Sequence, residues 1–156
     1  MQVCLNGHMI TAHANLHYSF RKAFCPGCGT ETILACAKCS AGIQGTYHWP
    51  PGKGISRSLK NPPAFCHGCG QPSPWTEARQ QALAELVDDA DGIAEDDKQR
   101  LREALRDIQT DGPRTEVGAG RLKKIIKQGA LTVGSGLYKV ALDVATDAAK
   151  KLIVGS

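Results

Sequence analysis

Three Cys-x-x-Cys pairs, Cys25/Cys28, Cys36/Cys39 and Cys66/Cys69, fall within 45 residues of a 156-residue chain, and no other feature limits the possible folds so strongly. Each lies in a turn-rich setting: "FCPGCGT", "CAKCSAG" and "FCHGCGQ". Such a knuckle folds back so that both sulfurs face one ion, and a glycine after the second cysteine, as at Gly29 and Gly70, permits the left-handed backbone of the reversal. Structural zinc takes four ligands, so six cysteines leave one site half filled. The stretch "CLNGH" supplies the missing two, Cys4 and His8, with Asn-Gly at the bend, a favoured turn pair. The count then closes at eight ligands for two structural Zn²⁺ per chain: Cys4, His8, Cys25, Cys28, Cys36, Cys39, Cys66 and Cys69.

Membership in a site does not fix the pairing. "AFCPGCG" at 23–29 recurs as "AFCHGCG" at 64–70, and each copy follows a different first knuckle. Two ribbons in series, Cys4/His8/Cys25/Cys28 and Cys36/Cys39/Cys66/Cys69, are the simplest account of that repeat. The rival is a cross-brace, Cys4/His8 with Cys36/Cys39 and Cys25/Cys28 with Cys66/Cys69, favoured by the short interval between Cys28 and Cys36. His13 and His17 compete with His8 only weakly. His67 sits inside a knuckle whose side chains point outward, and His48 lies in the loop "YHWPPGKG".

Both sites are coordinatively full, which favours structure over catalysis. No nucleophile–base pair or paired carboxylates stand out, and the expectation is a non-enzymatic protein. Metal has a physical task here, because residues 1–75 hold only eleven Val, Ile, Leu or Met and seven aromatics. Seven cysteines with no charged-then-apolar leader point to a reducing compartment, so the expected location is cytoplasmic.

Charge divides the chain into three zones: +5 over residues 1–75, −6 over 76–113 and +5 over 114–156. All aromatics except Tyr138 precede residue 76. Trp49, Lys53, Arg57 and Lys60 are candidate ligand contacts; basic residues beside an aromatic suit single-stranded nucleic acid, although they equally suit a solvated loop. Trp75 is read as stapling the first helix to the metal module.

"SPWTEARQQALAELVDDADG" predicts a helix with Thr76 as cap, Leu83, Leu86 and Val87 on its apolar side and a stop at Gly92. A second helix is expected from about Glu95, with Leu101, Leu105 and Ile108 on one face. The acids of "DDADG" do not fit a calcium loop, because Val87 and Lys98 would stand where carboxylates are needed. Over 117–154, Leu122, Ile126, Ala130, Val133, Leu137, Val140, Val144 and Ala148 predict one amphipathic helix, with Gly129, Gly134 and Gly136 marking a bend or a close helix contact. Its longest charge-free run, Gln128 to Tyr138, is eleven residues, against the roughly 20 that a membrane span needs. The stripe can pack within the chain or on the acidic helices, associate with another copy, or adsorb to an anionic membrane surface.

"VCLNGHMI", "FCPGCGTETILACAKCSAGIQG" and "FCHGCGQPSPWTEA", followed by a helical hairpin and a Lys-rich end, resemble an uncharacterised bacterial family of small zinc-knuckle proteins. The resemblance implies zinc at the eight residues named and carries no activity. The expected fold is small α+β: a tandem zinc-ribbon-like module (1–75), an acidic helical hairpin (76–113) and a basic amphipathic helical segment (114–156). The expected role is an interaction or adaptor module that binds itself or a protein partner through the C-terminal helices; nucleic-acid binding through the basic loops of the zinc module and membrane association through the C-terminal amphipathic helix are the alternatives.

Overall fold

A computed structural model of the chain describes residues 1–48, 56–129, 131–132 and 135–155. The chain forms two compact units, Met1–Arg79 and Gln80–Ser156. The acidic and basic segments expected at 76–113 and 114–156 thus share most of one unit, for reasons visible in its packing.

The first unit is built from short strands: β1 (Gln2–Cys4), β2 (Met9–Thr11), β3 (Thr32–Ile33), β4 (Thr46–His48) and β5 (Ser56–Ser58). β1 lies between β2 and β3 in an antiparallel sheet, and β4 pairs with β5 separately. A bulge interrupts the β1–β2 register, where Gln2 faces Thr11 but Val3 faces Met9. Buried Gln2 is fully used: its amide donates to Lys22 O at 2.9 Å and Thr32 Oγ1 at 2.8 Å, and its Oε1 accepts from Lys22 N at 3.0 Å. The apolar core is thin, Met1, Val3 and Trp75, with Ala12, Ile33, Ile43 and Leu59 against it. Trp75 is therefore the staple expected of it, a core residue at the start of α1 (Pro74–Asp88).

Thr76 does not cap that helix. It lies within the first turn, and its hydroxyl donates to Ala64 O at 2.8 Å, while Ser73 Oγ donates to Pro63 O at 2.9 Å. Ser73 O instead accepts from the N–H groups of Thr76 and Glu77 at 2.9 and 3.0 Å. Both hydroxyls fasten the helix start to the chain entering the third Cys-x-x-Cys knuckle, a use that a local capping rule does not anticipate.

The second unit contains the remainder of α1 with α2 (Glu95–Asp107), α3 (Thr115–Lys127), α4 (Gly136–Val144) and α5 (Asp147–Val154). Leu101, Leu105 and Ile108 are buried as expected. Three acids, Glu95, Asp96 and Asp97, occupy the first turn of α2, where the helix dipole favours them. α3 packs against α2 and α5. Gly118 marks the close approach: a Cβ there would lie 2.6 Å from Asp107 Cβ and 3.0 Å from Ala104 O.

The single helix expected over 117–154 is three helices. Gly129, at φ 76°, ends the first helical run, and Ser135 and Thr146 cap new helices by accepting from Tyr138 N at 3.2 Å and Ala149 N at 3.3 Å. Each break resets the phase. The buried stripe runs Leu122, Ile125, Leu137, Ala141, Ala145, Ala149 and Ile153, whereas Ile126, Val140 and Val144 are only partly buried and Ala148 is exposed. Ala130, Val133 and Gly134 lie outside the described residues. The opposite charges of the two segments meet in this packing: Arg114 forks onto Asp107 at 2.8 and 3.0 Å, and Arg121 reaches Glu103 at 2.9 Å. Among the described residues no helix is long and apolar enough to cross a membrane.

Candidate metal centres

The three Cys-x-x-Cys turns share one geometry. In each, the N–H of the first cysteine donates to the carbonyl five residues on, and the residue four positions on donates back: Cys25 to Thr30 O and Gly29 to Cys25 O, Cys36 to Ala41 O and Ser40 to Cys36 O, Cys66 to Gln71 O and Gly70 to Cys66 O, all at 2.8 Å. The residue after the second cysteine is left-handed every time, with φ 71° at Gly29, 59° at Ser40 and 70° at Gly70. Ser40 takes that position without being glycine. The Cys4 turn is tighter: Gly7 N donates to Cys4 O at 2.8 Å, Cys4 N to His8 O at 3.0 Å, and Gly7 has φ 86°.

These turns assemble two tetrads in series. Cys4, His8, Cys25 and Cys28 bring their ligand atoms within 4.8 Å of one another, as do Cys36, Cys39, Cys66 and Cys69. The cross-brace does not occur. β1 is the reason, since it carries Cys4 beside β3, and Leu5 N donates to Glu31 O at 3.0 Å next to the second knuckle.

Distances test whether a tetrahedral ion fits. With Zn–S near 2.3 Å, tetrahedral geometry sets sulfurs about 3.8 Å apart, and with Zn–N near 2.0–2.1 Å it sets nitrogen and sulfur about 3.5–3.6 Å apart. Cys4–Cys28, Cys36–Cys69 and Cys39–Cys66 are separated by 3.8, 3.9 and 3.6 Å. His8 Nδ1 lies 3.3 Å from Cys28 Sγ and 3.7 Å from Cys25 Sγ. Disulfides are excluded by these sulfur separations, which approach twice a bonded length. Three thiolates with an imidazole, or four thiolates, make a soft donor set of the kind that holds zinc.

Neighbouring groups support the sulfurs. Cys4 Sγ accepts from His8 N at 3.2 Å, and Cys66 Sγ accepts from Gly68 N at 3.4 Å. Asn6 Nδ2 donates to Cys28 Sγ at 3.5 Å, and Thr30 Oγ1 lies 3.4 Å from the same atom. The Thr30 hydroxyl and backbone N–H bring the Cys28 thiol down to about 5, and the Gly68 and Cys69 backbone N–H groups bring Cys66 down to about 6. At Cys39 the Ala41 N–H works toward the thiolate, but the Cys69 and Cys66 sulfurs prevail and push it up to about 12. Burial raises Cys4 above the ordinary thiol range, and the Cys28 and Cys25 sulfurs raise His8. Sulfurs so crowded share protons unless a divalent cation replaces them.

The sites differ in exposure. Cys4 and Cys25 are buried, whereas Cys39 and Cys69 are exposed and Cys36 and Cys66 intermediate. Of the other histidines, His13 Nε2 contacts Ser58 Oγ at 3.0 Å, His17 packs on Phe20, and His67 Nε2 faces Gly42 O at 3.1 Å. Among the described residues no metal cluster involves the acids at 88–91. Of the remaining candidate contacts, Arg57 and Lys60 are exposed, while Trp49 and Lys53 lie outside the described residues. Sequence reasoning missed Asn6 and Thr30 as partners of Cys28. It also missed an exposed run of large side chains, Leu16, Tyr18, Phe20 and Phe24, with the Arg21 guanidinium 4.1 Å above the Tyr18 ring.

The family model described as "Uncharacterized protein conserved in bacteria (DUF2321)" matches residues 1–153, and the chain belongs to that family. No curated protein matches the chain, and no solved structure does.

Proposed function

We propose that this member of the family is a non-catalytic, zinc-stapled interaction protein whose first unit binds a protein partner. Cys4, His8, Cys25 and Cys28 would hold one Zn²⁺, and Cys36, Cys39, Cys66 and Cys69 the other. The observation that carries the reading is closure of both tetrads by four protein donors each. A four-coordinate structural ion offers no open position for water or substrate, so its contribution is folding energy. The apolar stripe of the C-terminal helices is taken up by packing within its own unit, which favours a partner on the metal module over membrane adsorption or self-association.

Native mass spectrometry of the full chain under reducing conditions tests this, because it reads metal count and subunit count together. Two zinc ions on a single chain are expected. One zinc per chain, or none, would overturn the assignment, and a defined oligomer would redirect the interaction to copies of the chain.

Nucleic-acid binding is the second reading. Tyr18, Phe20 and Phe24 are more than half exposed, beside Arg21 and Lys22, as a stacking platform with phosphate contacts requires. It predicts affinity for single-stranded oligonucleotide that falls steeply with salt, and binding that is flat across salt removes it.

A further inference from the structure

The two tetrads differ in which sulfurs a small solute can reach. In the first, Cys4 and Cys25 are 0% and 3% exposed, and the His8 imidazole cannot enter a disulfide. Cys28 is the exposed sulfur there, with Asn6 Nδ2 at 3.5 Å and Thr30 Oγ1 at 3.4 Å around it. In the second tetrad all four donors are thiols and none is buried: Cys39 and Cys69 are exposed, Cys36 and Cys66 intermediate. Each exposed sulfur has another thiol close by, Cys39 facing Cys66 at 3.6 Å and Cys69 facing Cys36 at 3.9 Å. A solvent-reachable thiolate poised beside a second one is the arrangement in which oxidation runs on to a disulfide. Four thiols can pair completely, whereas the three of the first tetrad cannot.

The second tetrad also steadies the start of α1. Thr76 and Ser73 hydroxyls donate to Ala64 O and Pro63 O at 2.8 and 2.9 Å, just before Cys66. Lys38, between Cys36 and Cys39, meets Glu77 at 2.9 Å. Both knuckles of this tetrad are thus tied to the helix turn that carries buried Trp75.

We infer that the second tetrad is a site of oxidative modification, at which a peroxide converts its four thiolates to disulfides, releasing zinc and loosening the start of α1. The inference rests on the zinc-stapled reading above. An exposed thiolate, Cys39 or Cys69, attacks a peroxide oxygen; the O–O bond breaks, hydroxide leaves and a sulfenic acid remains on sulfur. A neighbouring thiolate of the tetrad attacks that sulfur; the S–S bond forms, the S–O bond breaks and a second hydroxide leaves. Each disulfide passes two electrons to one hydrogen peroxide, so two peroxides oxidise all four sulfurs. The sulfurs then no longer offer the thiolates that zinc ligation requires.

The test treats the full chain, loaded with two zinc ions, with hydrogen peroxide. Released zinc is followed with a chromogenic chelator too weak to strip the reduced protein. Expected is release of one ion per chain about tenfold or more faster than the other. Mass-spectrometric peptide mapping after denaturation and alkylation should then find Cys36, Cys39, Cys66 and Cys69 in disulfides, with Cys4 and Cys25 still free to alkylate. In the Trp49→Phe variant, Trp75 emission should shift to the red at the rate of the first release. A dithiol reductant with added zinc should restore the starting state. Two ions leaving at equal rates, or first-tetrad thiols oxidised first, overturns the inference, and fixed Trp75 emission overturns its coupling to α1. In a chain that holds two zinc ions these results leave the metal assignment standing, whereas failure to load zinc removes the reading beneath it.

Discussion

Replacing Gly7 by alanine probes how firmly the first metal turn is locked against the helix start. Gly7 has φ 86°, and a Cβ there would sit 2.9 Å from Trp75 Cβ and 3.1 Å from Trp75 Cγ. Those atoms are the rigid base of a buried side chain and cannot swing aside. The left-handed backbone costs an alanine about 1–2 kcal/mol. The forced contact adds about 1–3 kcal/mol. Gly29 is the matched control, because it serves the same tetrad at φ 71° and a Cβ there meets nothing within 4 Å. Metal binding is folding energy in a module this small, so a penalty in the folded state is read as lost zinc affinity. Gly29→Ala should weaken zinc binding at the first tetrad about 5- to 30-fold, at 1.4 kcal/mol per decade. Gly7→Ala should be weaker than Gly29→Ala by a further 5- to 150-fold or so. Competition against a chelator of graded affinity, with the second tetrad as internal reference, measures both. Equal losses in the two variants would refute the contact with Trp75.

Gly118→Ala and Gly120→Ala form a second pair in α3: the first meets Asp107 Cβ at 2.6 Å and the second meets nothing within 4 Å. In urea denaturation followed at 222 nm, Gly120→Ala should gain up to about 1 kcal/mol while Gly118→Ala loses about 1–2 kcal/mol. Ser40→Gly relieves the non-glycine left-handed turn at φ 59° and should raise zinc affinity at the second tetrad about two- to fivefold by chelator competition, net of the glycine entropy cost. A strong chelator should abolish the near-UV dichroism of the first unit, whose core is Met1, Val3 and Trp75, and spare most of the helical signal from the separate core built on Leu101, Ile108 and Leu122. Coincident loss of both signals would show that the units unfold together.

The eight residues of the two clusters that could hold metal were legible in the linear chain because ligand valence is a local rule. A knuckle holding two thiols demands two more, and Cys4 with His8 were the remaining pair at suitable spacing. The faces of Leu101, Leu105 and Ile108 were legible for a similar reason, since an uninterrupted helix keeps its phase. Phase was lost beyond Gly129, where the caps at Ser135 and Thr146 restart the count and move burial onto Ala141, Ala145 and Ala149. Thr146 N also donates to Ile108 O at 2.9 Å, a tie between α2 and the α4–α5 junction across 38 residues that no local pattern encodes.

Composition and spacing by themselves thus determined which residues can bind metal, how many ions they can fill and which face of the uninterrupted α2 is buried. Tertiary structure decided which half-sites meet, because serial and crossed pairings satisfy the same valence and differ only in which strands lie side by side. It also decided that Trp75 is buried with Met1 and Val3, against Ile33, Ile43 and Leu59. That depends on distant segments converging, and convergence is a property of the folded chain alone.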